Sequence, residues 1–228
     1  NYNVVVGDEA GTAITTGDEN VFVGYAAGDA TTTGNQNTAV GQNALTTNTT
    51  GTINVALGTG ALQNATTADG NTAVGSGVQL FTTTGAGNTS VGRIALFYNT
   101  TGSSNVAIGK EALFNNTTAD NNTAVGYQSL LANTTGTRNT AVGALAGDAN
   151  TEGNYNSAFG YNSLGANTTG THNTALGDYS QAANTTGTKN VSVGQGSFIT
   201  NTTGDNNTVV GTEAMTANTT ASNNTAVG

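Results

Sequence analysis

The chain has 228 residues and a mass of 22.5 kDa, with 33 Gly, no Pro, no Cys, no Trp and only 7% charged residues, so its surface has to be polar without being ionic. Four Lys plus Arg stand against thirteen Asp plus Glu, a formal net charge of -9, which leaves no basic footprint for phosphate backbones or anionic lipid and argues against nucleic acid as a partner. Without cysteine there is no disulfide framework and no thiolate metal site, and no apolar run approaches the roughly 20 residues of a membrane span.

The first residues, Asn1 to Val6, carry neither the basic start nor the apolar core of an export signal, so the sequence reads as a segment of a longer protein. From there the chain is one repeat. A small-aliphatic pair followed by glycine ends each unit, at Gly7, Gly24, Gly41, Gly58, Gly75, Gly92, Gly109, Gly126, Gly143, Gly160, Gly177, Gly194, Gly211 and Gly228. Every interval is 17 residues, which makes residues 1–228 a single array of thirteen units without insertion or deletion.

With this glycine as position 17, the unit reads x-x-A-L-x-x-N-T-T-G-x-x-N-T-A-V-G. Positions 3 and 4 are a small residue and usually Leu, though position 4 lapses to Gly11, Gly28, Gly147, Gln79 and Gln181. Position 8 is Thr in every unit, position 9 departs from Thr only at Glu152, and position 10 is Gly except at Ala68, Ala119 and Ala221. Position 13 is always Asn, and position 16 is always apolar. Positions 1, 2, 5, 11 and 12 vary.

A helical solenoid would need a longer unit with a 3.6-residue apolar rhythm. Two glycine columns separating short runs of Thr, Val and Ala instead predict strand, turn, strand, turn: an all-β fold, a β-solenoid or parallel β-roll of about thirteen coils. At about 3.3 Å per residue and 4.8 Å per coil, the expected object is a rod roughly 60 Å long. Stacking places each column over itself, so Asn37, Asn54, Asn71, Asn88, Asn105, Asn122, Asn139, Asn156, Asn173, Asn190 and Asn207 are expected to form an amide ladder, with a hydroxyl ladder at position 8. The position-17 glycine should supply a positive φ or room for a close backbone approach.

Alternation along Asn-Thr-Ala-Val-Gly puts positions 14 and 16 on one face and 15 on the other. The apolar position 16 reads as core, which would turn position 15 outward. That column is nevertheless small and apolar, at Ala39, Ala56, Ala73, Ala107, Ala124, Ala141, Ala158 and Ala175. These alanines are therefore candidates for an interchain contact; the alternative is that Ala simply fills a thin coil.

The run Asn37-Thr38-Ala39-Val40-Gly41-Gln42-Asn43-Ala44-Leu45, with its many copies, resembles the head repeats of YadA-like trimeric autotransporter adhesins and is similar to repeats of phage and virus tail fibres. The resemblance covers essentially the whole chain, although the Asn-Thr-Thr-Gly segments at Asn133–Gly136 and Asn167–Gly170 depart from the shorter adhesin unit. It implies a trimer of parallel β-rolls, exported and used for attachment.

Catalysis needs a unique convergence of groups, and near-identical coils do not offer one, so neither an enzyme nor a cofactor nor a metal site is expected. His172, the single histidine, occupies variable position 12 alongside Arg138, Tyr155 and Lys189 and reads as a solvent-facing residue. Asn48, Asn99, Asn116, Asn133, Asn167, Asn184, Asn201 and Asn218 open N-x-[ST] sequons, candidate glycosylation sites unless their amides only brace a turn. Ice binding uses outward Thr at i and i+2. The adjacent Thr at positions 8 and 9 would not provide this, since alternation from Leu at position 4 buries position 8 and exposes 7 and 9. The sequence thus points to a non-enzymatic extracellular structural and adhesive fibre segment, on a cell surface or virion. Its expected partners are copies of itself, as a trimer or filament, and a host-surface or glycan receptor. The alternatives are a self-assembling, glycan-coated filament subunit and an ice-binding solenoid. Receptor contacts are expected in the variable columns beside the turns, which hold Tyr25, Tyr127, Tyr161, Tyr155, Arg93, Lys110, Arg138 and Lys189.

Overall fold

The computed structural model describes residues 2–228 and is all-β, a solenoid of 17-residue coils with no helix among the described residues. Two compact units divide the chain, the first ending at Thr118 and the second running Ala119–Gly228. The first carries β1 (Val4–Val6), β2 (Val21–Val23), β3 (Thr38–Val40), β4 (Val55–Leu57), β5 (Thr72–Val74), β6 (Thr89–Val91) and β7 (Val106–Ile108). The second carries β8 (Thr123–Val125), β9 (Thr140–Val142), β10 (Ser157–Phe159), β11 (Thr174–Leu176), β12 (Val191–Val193), β13 (Thr208–Val210) and β14 (Thr225–Val227). Within each unit a strand pairs in parallel with the strand one coil on, column over column, as in Ala73↔Ser90 and Ala158↔Ala175. A one-residue insertion would turn a whole column to the other face, which explains the unbroken period.

Only positions 14–16 are extended. The second strand expected in each coil is absent, and positions 1–6 run as consecutive turns. The cause is backbone handedness: positions 2 and 4 are left-handed in coil after coil, as at Asn43 (φ 56) and Leu45 (φ 55), or Asn162 (φ 52) and Leu164 (φ 51). An L-residue in that region costs roughly 1–2 kcal/mol. The geometry is held because it aims successive peptides at alternate neighbours. The Gly28 and Ala30 amides donate forward to the Ala44 and Thr46 carbonyls (both 2.9 Å), whereas the Asn43 amide donates back to the Tyr25 carbonyl (2.9 Å). Turn segments therefore ladder like strands, and their peptide groups find partners without water.

Left-handed residues also break strict alternation, so neighbouring positions 3 and 4 both face inward. Ala44, Leu45, Asn48, Asn54 and Ala56 from positions 3, 4, 7, 13 and 15 have no exposed surface. Position 16, expected in the core, faces outward; Val40, Val91, Ile108 and Phe159 are each 39% exposed. The interior is narrow, and in several coils positions 4 and 15 trade volume across it, although Phe198 and Val209 are both fully buried in one coil. Phe22 fills position 15 where position 4 is Gly11 and Gly28, and a Cβ on Gly28 would lie 2.6 Å from the Phe22 ring. Gln79 at position 4 donates to Ser90 Oγ at position 15 (3.0 Å), a polar exchange for the usual Leu–Ala pair. Where Gly147 meets the small Ala141 and Ala158, a small cavity remains, lined also by Leu130 and Leu164.

The asparagine ladder forms as expected. Asn88 Nδ2 donates to Asn71 Oδ1 (3.1 Å) and to the Gly102 carbonyl (2.9 Å), while its own Oδ1 accepts from the Asn105 amide (2.9 Å). Asn37, Asn54, Asn71 and Asn207 repeat all three bonds, whereas Asn122, Asn139, Asn156, Asn173 and Asn190 donate to the position-10 carbonyl and accept from the next coil's backbone amide; all lie inside the coils at 0–1% exposure except Asn156 at 6%. Glycine at position 17 is required twice over: Gly58 has φ +131, and a Cβ there would lie 2.5 Å from the Gly75 carbonyl oxygen.

Candidate functional site

With the interior filled by side chains of the same chain, function has to lie on the outside, and three outward columns differ in chemistry. On the sheet face, positions 14 and 16 project side by side at i and i+2. Position 14 supplies Thr, Val or Ser, half-buried in most strands, and position 16 supplies Val, Leu, Ile or Phe. In each unit, seven strands of three residues present roughly 300 Å² of flat surface, from about 4.8 Å between strands and 3.3 Å per residue. A patch of that size, with Thr or Ser in most position-14 places, lies at the lower end of the largest patches that monomers expose.

The alanines expected at an interchain contact are not on that face. Ala39, Ala56, Ala73, Ala107, Ala124, Ala141, Ala158 and Ala175 are at most 2% exposed and pack inside their own chain. This corrects the sequence expectation, which assigned the larger aliphatic side chain to the core. In most coils Ala at position 15 faces Leu at position 4, and the Val column is the one turned outward.

The proposed sequons are corrected in the same way. Asn48, Asn99, Asn116, Asn133, Asn167, Asn184 and Asn201 are at most 1% exposed. Their amides brace the turn, as when Asn184 Nδ2 donates to the Gly187 carbonyl (3.1 Å) and across coils to Asn167 Oδ1 (2.9 Å). A glycan cannot be accommodated at these positions in the folded chain; Asn218 alone of the eight is half-buried, and it too braces its turn, donating to the Ala221 carbonyl (3.0 Å). Because position 7 faces inward, Thr at position 8 is half-buried rather than interior, and its hydroxyl donates to the next coil's carbonyl, as from Thr168 to Thr185 (3.1 Å). Thr at position 9 is exposed, so positions 8 and 9 do not form an outward i, i+2 pair.

The third column is position 12, at the corner leading into the strand. Its residues are left-handed throughout, including Arg138 (φ 59), Tyr155 (φ 57), His172 (φ 59) and Lys189 (φ 56). Three of them touch across coils: the Tyr155 and His172 rings stack at 4.8 Å and 15°. The Arg138 guanidinium lies 5.2 Å from the Tyr155 ring centroid and also hydrogen-bonds its hydroxyl. In the first unit, positions 5 and 6 carry a separate aromatic cluster, in which Phe81 stacks on Tyr98 (5.4 Å) and Phe97 on Phe114 (5.2 Å).

Tyr161 and Tyr179 also pair edge to face across adjacent coils (5.3 Å). Among the described residues no group of three His, Asp or Glu is placed to hold a metal ion, and no helix is long and apolar enough to cross a membrane. Comparison with models of known families, with curated proteins and with solved structures finds no match.

Proposed function

We propose that this array is a non-enzymatic structural and adhesive segment of an extracellular fibre, borne on a cell surface or virion, and that its coils assemble with further copies of the chain through the sheet face. The observation that carries the reading is the outward column at position 16 in each unit, apolar in every repeat of the sequence. A column that never admits a polar residue, on the wet side of a coil whose interior is already full, is chemistry for a partner with the same repeat. A second copy of the array meets that requirement strand for strand. The resemblance to trimeric adhesin heads, stated above on the repeat unit, favours three chains. Each coil adds roughly 50 Å² of face, about half of it from the apolar position 16, or roughly 0.6 kcal/mol of apolar burial at 25 cal/mol per Å². One unit alone falls below the roughly 800 Å² per partner of a stable interface, so association depends on many coils engaging together. Light scattering tests this: a mass near three times the 22.5 kDa of one chain supports it, and a monomer at micromolar concentration overturns it.

The same face favours one other reading. Thr at position 14 beside Val at position 16, as in Thr72 and Val74 or Thr140 and Val142, gives an outward i, i+2 rank that positions 8 and 9 lack, with Thr in one of the two places that an ice-binding rank fills with Thr. A face engaged with other copies cannot also meet ice. A monomeric chain that suppresses ice recrystallisation would decide for this alternative.

A further inference from the structure

The corner column of the second unit is unlike its counterparts in other coils. Of the five basic side chains in the whole sequence, three stand in it, Arg138, His172 and Lys189, with Tyr155 completing four consecutive coils. Elsewhere the column holds Glu19, Gln36, Ile53, Gly70, Gly87, Ser104, Asn121, Asn206 and Asn223. All four side chains are exposed. Lys110 is ion-paired with Glu111 at 3.2 Å, but neither Arg138 nor Lys189 has a carboxylate within ion-pairing distance among the described residues. The neighbouring position 11 is acidic at Asp120 and Asp205 but neutral between them, as Thr137, Asn154, Thr171 and Thr188. Asp205 is itself engaged, its Oδ1 accepting from the Thr188 amide (2.6 Å) and hydroxyl (3.0 Å). Glu152, exposed at position 9, is the nearest remaining acid in sequence.

From this arrangement we infer a binding site for an acidic oligosaccharide, with Arg138 and Lys189 at its two ends and the Tyr155–His172 stack as its floor. Arg138 offers a planar fork suited to a carboxylate or sulfate, and Lys189 a compact second charge. Three coils separate them, roughly 14 Å at about 4.8 Å per coil, the span of a short oligosaccharide rather than of one sugar. The Tyr155 ring is covered by the Arg138 guanidinium on one side and by His172 on the other, so the stack presents polar ring edges between the two charges, and the hydroxyls and amide of position 11 line one side to meet sugar hydroxyls. A net charge of -9 disfavours diffuse attraction of polyanions, so an anion held here is held by this column. The inference deepens the adhesive reading and rests on it for its use, because copies of the column in an assembly would bind multivalently.

Binding is measured by titrating the native chain, as purified, with three probes: oligogalacturonate, a heparin octasaccharide and a neutral malto-oligosaccharide. Arg138→Asn, Tyr155→Asn and Lys189→Asn are suitable variants, because Asn already occupies this left-handed column at Asn121, Asn206 and Asn223 and the coil should still fold. The control is Arg93→Gln with Lys110→Gln, which removes the same charge from position 1, where Gln42 and Gln195 are native. One or both acidic probes should bind at up to millimolar concentration and the neutral one should not. The preference between the acidic probes identifies the carboxylate or sulfate as the recognised group. The Arg138→Asn, Lys189→Asn double variant should lose at least tenfold in affinity, Tyr155→Asn several-fold, and the control little. Equal loss in the control, equal affinity for the neutral probe, or no binding at millimolar concentration would each overturn the site. The mass of the same sample keeps the two readings apart: an oligomer that ignores all three sugars sinks only the site, and a monomer that binds them sinks only the assembly.

Discussion

Replacing Gly58 by alanine should cost the fold far more than the same change at Gly70, twelve residues on in the same unit. At Gly58 the backbone sits at φ +131, a region open to glycine alone, and the new Cβ would lie 2.5 Å from the Gly75 carbonyl oxygen and 2.7 Å from its carbon. Backbone strain of this kind costs on the order of 1–3 kcal/mol. Prying one coil from the next adds a similar overpacking term, for a total of about 4 kcal/mol. At Gly70 the angle is +66, and no heavy atom lies within 4 Å of the added carbon. Alanine there costs about 1 kcal/mol in the folded state and regains part of that by restricting the unfolded chain. In a chain of this size a kcal/mol moves the melting temperature by about 2–4 °C, so thermal unfolding followed by circular dichroism should fall by about 8–16 °C for Gly58→Ala and by less than about 4 °C for Gly70→Ala. Equal losses would refute the claim that close coil-to-coil approach, rather than glycine content, fixes position 17.

Asn88→Ala should cost about 3 kcal/mol in urea unfolding, because the Asn105 amide is left without its acceptor in the interior and two further bonds from Asn88 are lost. A loss under about 1 kcal/mol would contradict a ladder that bears on stability. Gly147→Leu should move the melting temperature by no more than a few degrees, since the apolar burial beside the cavity is offset by left-handed backbone strain and by a Cβ placed 3.1 Å from Leu130 Cδ2; a loss above about 8 °C would contradict that balance. Asp148 is partly buried, and desolvation raises its pKa. Its folded form therefore holds its proton more tightly than the unfolded chain, and stability falls as pH rises through the folded pKa. Asp148→Asn should accordingly gain on the native chain at neutral pH, with the gain vanishing below the ordinary carboxyl range; a gain that persists at low pH would contradict that cause.

The period, the fold class, the position-17 glycine and the Asn88 ladder could all be read from the sequence, because each follows from stacking identical columns. Which face of β5 or β9 points inward could not, because alternation fixes parity but not sign. Apolar size then misled: Val74 outranks Ala73, yet the space opposite Leu62 admits only the smaller residue. A usable signal was present in the reciprocity between positions 4 and 15. Phe22 coincides with Gly11 and Gly28, and Ser90 with Gln79, as facing residues in a narrow core must. The inward turn of Asn184 was hidden for a different reason. Left-handed residues at positions 2 and 4 cancel the two-residue rhythm, and nothing in side chains as varied as Glu111, Ile94 and Leu96 marks a positive φ. The Arg138–Lys189 column was legible only as scattered variable residues until stacking aligned its members and brought Arg138, Tyr155 and His172 into contact.

The central claim is that position 15 serves the chain itself and position 16 serves its partners. The most direct measurement is the mass and circular dichroism of Val142→Arg set beside those of Ala141→Arg. Val142 is half-exposed and Ala141 buried. The arginine at 142 should therefore leave the coil folded and shift the assembly toward single chains, whereas the arginine at 141 should unfold the coils around it. An unchanged oligomer in Val142→Arg, or a well-folded single chain in Ala141→Arg, would contradict the assignment of the two faces.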